Sequence, residues 1–311
     1  MKPENKAIGL MHLATFLFGF TAILGKLISL SSLNLVWHRM WIASAIFLFF
    51  PKFFQKLRNT SKQVRKQFLL IGTLVAIHWL TFYGCIKVGN SASLALATFG
   101  TITLFAAFIE PIVFKVKFKK RELFIGVLVL LGLAFIAKSN PDQEFSWQSS
   151  YIQAMGLGVV AAFFAALFSV LNKKYVGDNS PAVLTFLQMT GGFVFLTLLV
   201  PYLMFTGADF QLIPSWKDIG YLVLLAVICT NIAFSLEMEA LKNMSAFTSN
   251  LILNMEPIYG IALAIVVFAE NQLLNGWFYL GASLIMLTVF IHPVIDKYFN
   301  KKMKKAAQVM S

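Results

Sequence analysis

Charge is scarce in this chain. Only 13% of its 311 residues are Asp, Glu, Lys or Arg, and 59% are hydrophobic; a soluble domain carries about 25% charged and about 45–50% apolar residues. With a mean hydropathy of +0.76, the composition excludes an ordinary soluble protein. It describes a polytopic membrane protein whose surface meets a lipid bilayer. Acids are rarer than bases, 13 against 26, for a net charge of +13. Such an excess on a soluble face would suggest nucleic acid. Here the bases sit between apolar runs, so no nucleic-acid partner is expected. Cysteine is nearly absent: Cys85 and Cys229, in or near apolar runs, make neither a disulfide framework nor a metal set. His12, His38, His78 and His292 are dispersed, with no carboxylate at metal-ligand spacing. There is no phosphate loop and no G-x-S-x-G elbow. The sequence therefore points to no metal, no cofactor and no enzyme activity.

What the chain does have is long apolar runs. They place ten candidate membrane helices at 7–29, 33–53, 68–88, 92–114, 122–138, 153–174, 182–205, 218–241, 246–269 and 275–296. Lys2 and Lys6 before the first run resemble a signal peptide. The run is too long for one, and Lys26 stands where a cleavage site would be, so it reads as a retained span. The polar stretch 139–152 divides the chain nearly in half. The expected organisation is a five-helix repeat at 7–138, an external linker at 139–152, a second five-helix repeat at 153–296 and a basic tail at 297–311.

The halves resemble each other in order. Gly9, Ala14, Leu24 and Lys26 fall opposite Gly156, Ala161, Leu171 and Lys173; Leu35 and Met40 opposite Leu184 and Met189; Ser91-Ala92 opposite Ser245-Ala246; Gly100-Thr101 opposite Asn254-Met255. With the N-terminus inside, cytoplasmic segments hold 21 of the 26 basic residues, and outer segments hold only Lys87, Lys138 and Lys217. Five helices per repeat is an odd number, so the second repeat is inverted. Matching loops accordingly swap their charge. The expected fold class is an all-α integral membrane protein, ten transmembrane helices in two inverted five-helix repeats, with both termini cytoplasmic. Trp37, Trp41, Trp147, Trp216 and Trp277 map to the outer side.

The ninth run, 245–270, is the most informative. Its centre reads Asn254-Met255-Glu256-Pro257. Pro257 removes a backbone donor and breaks or kinks a helix, and a glutamate at that depth is a functional candidate by default. Read as a continuous helix, the run places Ser249, Leu253, Glu256 and Gly260 in one sector, with Asn250, Asn254 and Pro257 beside it. Such a face either meets water and substrate or packs through hydrogen bonds.

Other polar groups gather at the same depth, where inverted-repeat transporters keep their sites. Each has a structural alternative. Thr98 and Thr101 can bond their own backbone. His78 can be a bonded core histidine, and Tyr83 a packing aromatic. Arg39 can pair with a carboxylate, snorkel to the interface or bind an anionic substrate. Thr230-Asn231 lie opposite His78 in the repeat. Gly100 and Pro257 are the candidate helix breaks. Glu237 and Glu239, near the cytoplasmic end of the eighth run, are expected to reach water, and Glu110 to lie near the cytoplasmic face.

Ten spans, the duplication, the turn Glu239-Ala240-Leu241-Lys242, the Ser-Ala starts of the fourth and ninth helices, and PIYGIALAIVVFAE from Pro257 to Glu270 resemble the EamA-like family of the drug/metabolite transporter superfamily. Lys26 and Arg39 match basic positions frequent in the family's first two helices. The first half departs from the pattern, with Thr103 where proline is usual and no Glu ending its fourth helix. The resemblance implies a secondary transporter in a bacterial-type inner membrane. It would export amino acids, other small metabolites or drugs by alternating access, through a cavity lined by the first, third, fourth, sixth, eighth and ninth helices. Glu256 is the candidate proton-coupling group, with Asn254 and Asn231 holding substrate or a bridging water. The alternatives are an uncoupled facilitator, or a membrane sensor or enzyme subunit.

Overall fold

The computed structural model describes residues 3–116, 118, 121–139, 146–244, 249, 252–288 and 291. Ser245-Ala246, Asn250, His292, residues 140–145 of the linker and the basic tail at 297–311 lie outside the described residues. All regular structure among the described residues is helical. The helices are α1 (Pro3–Leu27), α2 (Ser32–Phe47), α3 (Pro51–Asn59), α4 (Lys62–Gly89), α5 (Ala92–Phe99), α6 (Ile102–Phe114), α7 (Arg121–Lys138), α8 (Ser150–Tyr175), α9 (Pro181–Phe205), α10 (Trp216–Ala226), a π-helical turn (Val227–Ile232), α11 (Ala233–Lys242), α12 (Glu256–Phe268) and α13 (Gly276–Thr288).

Ten full-length spans were expected. Six are long and apolar enough to cross a bilayer: α1, α4, α5 with α6, α8, α9, and α10 through α11. A seventh appears if the bent pair of α2 and α3 is one span. Gly126–Lys138, α12 and α13 are apolar but shorter.

Two expected spans are corrected. The run at 33–53 is not one helix: α2 stops at Phe47, and α3 leaves at 97° to it. The cause is local. Phe50 precedes Pro51, a position that disfavours helical backbone, and it is extended at φ −107° and ψ 103°. The run at 246–269 is not continuous either. Ile252 and Leu253 are helical, Asn254 and Met255 form a turn, and α12 starts at Glu256. Pro257 therefore sits in a first turn, where its missing N–H costs nothing. The fourth run breaks at the matching place, with α5 ending at Phe99 and α6 starting at Ile102 across Gly100-Thr101.

Packing crosses between the halves. α4 packs on α8 and α9, α1 on α11 and α12, α5 on α12 and α8, α6 on α8, and α2 on α9 and α10. Exchanging the halves turns α1 with α11 into α4 with α8, and α4 with α9 into α2 with α10. Between helices in hydrocarbon, close backbone approach replaces the hydrophobic drive. A Cβ on Gly72 would strike the carbonyl of Gln188, and one on Gly191 that of Leu69. α4 and α9 meet there backbone to backbone.

Candidate functional site

A cavity of about 50 Å³ lies inside this bundle. That is room for a few waters, since each needs about 10–15 Å³ measured this way. Its walls come from α1 (Phe18), α2 (Arg39), α4 (His78, Trp79), the α5–α6 break (Phe99, Ile102), α8 (Phe168), α11 (Phe234, Glu237) and the second break (Leu253, Glu256). These are the elements the resemblance implies, plus α2 through Arg39. The residues that flank both breaks line the cavity, so backbone irregularity is confined to a protein interior, as the bilayer requires.

Arg39 is fully buried, and each of its three side-chain nitrogens donates a hydrogen bond. Its Nε donates to Thr230 Oγ1 at 2.8 Å, one terminal nitrogen to the Tyr83 hydroxyl at 2.6 Å, and the other to the Cys229 carbonyl at 3.2 Å. Its guanidinium carbon stands 3.5 Å from the centre of the Trp79 ring, a cation–π contact. A carboxylate partner was one of the readings open for Arg39; among the described ion pairs none involves it. The partners trace to the π-helical turn. The wider turn lets Thr230 Oγ1 donate to the Leu225 carbonyl at 2.8 Å while accepting from Arg39, and it leaves the Cys229 carbonyl turned toward the guanidinium. Such turns recur at functional sites. Tyr83, which the sequence left as a packing or interfacial aromatic, is part of this assembly.

His78 Nδ1 lies 2.9 Å from the Ala161 carbonyl. A carbonyl only accepts, so Nδ1 carries the proton and Nε2 is the acceptor in the neutral ring. Thr98 and Thr101 bond backward to their own helix, Thr98 to Leu94 and Ala95 and Thr101 to Thr98. Neither lines the cavity. Asn231 donates to the Ala43 carbonyl at 3.1 Å. The Oδ1 atoms of Asn231 and Asn254 are buried with no bonding partner, an arrangement rare enough to call for an explanation. They lie outside the cavity wall. Gly100 lies in the first break, whereas the second falls at Asn254-Met255 and Pro257 follows it in the first turn of α12. Glu256 is 8% exposed and lines the cavity from the first turn of α12.

Glu237 corrects a further expectation. It does not reach water. It is 2% exposed and lines the same cavity as Glu256. Its signal was present in the spacing: Phe234, Glu237 and Leu241 fall on one helical face, while Glu239 turns outward to Lys242 at 3.0 Å. Glu270 was also missed as a partner. It is 1% exposed and takes the Lys26 ammonium at 2.7 Å, the amides of Ala92 and Ser93 at 3.0 and 2.8 Å, and the Ser91 hydroxyl at 3.0 Å. Those amides are orphan donors at the start of α5, where a carboxylate caps well.

Comparison with known proteins agrees with this architecture. No curated protein matches the chain. A solved crystal structure of a protein with 14% identity superposes at a TM-score of 0.63, covering 95% of this chain and 99% of the other; at that identity it shows the fold alone. The model of the EamA-like transporter family matches twice, at residues 5–138 and 152–292, one match on each side of the linker. The chain is an integral membrane protein and belongs to the EamA-like transporter family.

Proposed function

We propose that this chain is a secondary transporter that exports small metabolites or drugs across a bacterial-type inner membrane by alternating access. In this reading ten membrane-crossing segments form two inverted five-helix repeats, with both termini in the cytoplasm. The lopsided distribution of lysine and arginine supports that orientation, and the exchange of helix contacts between the halves supports the inversion. One observation carries the proposal. A cavity lies between the two halves, walled by aromatic rings, and brings one fixed cation and two buried carboxylates together. Ionisable groups at that depth are costly and mark substrate or ion pathways.

The small volume corresponds to a closed state. Rocking of one half against the other, hinged at Gly100-Thr101 and Asn254-Met255, would open the cavity to either side. Glu256 is the coupling group in this scheme. The partnerless Oδ1 atoms of Asn231 and Asn254 support a role beside the path, bonding a water or a substrate donor when the halves move. The test is transport in proteoliposomes with a metabolite panel, with and without a pH gradient. Accumulation of a panel member that responds to the gradient supports the proposal. Uptake indifferent to the gradient turns it into a facilitator, and no uptake of any member removes it.

A further inference from the structure

Glu237 and Glu256 stand on different helices and face one cavity. Both are more than nine-tenths buried. Among the described residues neither accepts a hydrogen bond or forms an ion pair. A buried carboxylate is ordinarily bonded, and two of them facing one cavity present acceptors to a donor.

The neighbouring groups do not fill it. The titratable groups around the pair are Arg39 from α2, His78 and Tyr83 from α4, and Cys229 from the π-helical turn. Arg39 gives three of its five N–H donors to Thr230, Tyr83 and the Cys229 carbonyl, and the two that are left fall short of what two carboxylates accept. His78 spends its ring proton on Ala161. Thr21, also in the wall, donates to the Phe18 carbonyl at 2.7 Å. What remains open is acceptor capacity. The charge count agrees: one guanidinium against two ionised carboxylates leaves one negative charge, which one monovalent cation neutralises. The wall also carries Phe18, Trp79, Phe82, Phe99, Phe168 and Phe234, whose ring faces attract cations and whose bodies suit an apolar group. The present volume admits an ammonium group and little more.

We propose that Glu237 and Glu256 together bind the primary ammonium group of an amphipathic organic amine, whose apolar body lies along the aromatic wall. Without the amine, one proton occupies the pair. When the ammonium binds, that O–H bond breaks and the proton leaves to solvent, so one proton departs for each cation that enters. Arg39 fixes the wall and sets the net charge, so that a single cation suffices. This inference rests on the transporter reading of the same cavity and names its substrate class.

The experiment uses the full-length protein in detergent and three ligands sharing a phenyl body: phenethylamine, phenylalanine and phenylacetate. Sodium chloride is the inorganic arm. Calorimetry in two buffers of different ionisation enthalpy reads affinity and proton release together. Phenethylamine should bind saturably with release of about one proton, phenylalanine at least about tenfold more weakly, and phenylacetate and sodium not at all. Glu237→Gln should weaken the amine by about tenfold or more. Because that variant can fail to fold, proton release by the wild type stands as an independent reading. Tighter binding of phenylalanine, phenylacetate or sodium overturns the proposal, and so does amine binding without proton release or no amine binding. If phenylalanine is nonetheless concentrated in proteoliposomes, the transporter reading survives and only the substrate class fails.

Discussion

Lys26 Nζ lies 2.7 Å from Glu270 Oε1, and the same carboxylate takes the amide hydrogens of Ala92 and Ser93. One acid thus ties the end of α1, the start of α5 and the turn after α12. The chain is bent sharply to bring them together: Asn90 and Ala269, just before the two partners, adopt left-handed backbone at φ 46° and 52°. Asp218 does similar work nearby, accepting from the Ser29 amide at 2.7 Å and the Ser29 hydroxyl at 2.6 Å. Lys87 bonds the Ile28 carbonyl in the same region. Burial opposes ionisation of Glu270, but the Lys26 ammonium and the Ser93 and Ala92 donors outweigh it and hold the carboxyl below the usual carboxylate range.

Removing one partner of such a pair strands the other, at a cost of about 3–5 kcal/mol. Glu270→Gln should therefore lower the melting temperature in detergent, and Lys26→Met should do so too. The double variant should lose less than the two single losses combined. The pH dependence has a definite sign. Because the folded-state carboxyl is the stronger acid, its stabilisation is complete above the ordinary carboxylate range and disappears as pH falls below it. The gap between wild type and Glu270→Gln should hold from neutral pH to about pH 5 and close only below. Simple additivity of the two single losses would mean the pair is not coupled.

Arg39 acts in this structure as a strut. Arg39→Ala removes a guanidinium that satisfies Thr230, Tyr83 and the Cys229 carbonyl at once, so folded yield and thermal stability should both fall. Tyr83→Phe deletes one acceptor of that buried charge and should cost about 1–3 kcal/mol. Size-exclusion profiles and melting curves check both. Normal levels of Arg39→Ala with weakened binding of an anionic ligand would instead make Arg39 a recognition group.

The backbone crossing of α4 and α9 gives a steric prediction. Gly72→Ala and Gly191→Ala each force a methyl into a carbonyl of the facing helix. Overpacking of that kind costs about 1–3 kcal/mol, and here the neighbour is backbone, which yields little. Gly9→Ala and Gly156→Ala meet nothing and should be silent in the same melting assay.

How much of this was legible depends on the kind of signal. Apolar length located helical segments in all ten runs, because hydrophobicity is summed over many residues. The breaks at Gly100 and Asn254 were legible through the register of the two halves. Boundaries set by one local conflict were not. The bend at Phe50-Pro51 lies inside an apolar run that reads as continuous. Glu237 was hidden by its neighbours: with Glu239 and Lys242 close by, the segment reads as a solvated edge, and only the face shared with Phe234 and Leu241 contradicts that. The bonds of Arg39 to Thr230 and Cys229 depend on a π-helical turn, which shifts the register of one helix and leaves no mark in composition. Glu270 meets Ala92 and Ser93 across most of the chain, a pairing that only the tertiary fold reveals.

The orientation proposed from charge has its own test. A reporter fused after Ser311 should report the cytoplasm, and one inserted within 139–150 should report the outer side. Both on one side would contradict the ten-segment inverted arrangement.

The most direct test of the whole account is proton-driven transport by Glu256→Gln. Glutamine keeps the shape of the protonated acid and cannot release a proton. The variant should fold, exchange substrate in proteoliposomes only at raised concentration, because one of the two carboxylates that hold the ammonium is gone, and lose accumulation driven by a pH gradient. If Glu256→Gln still concentrates substrate against its gradient at the expense of protons, Glu256 is not the coupling group and the account fails at its centre.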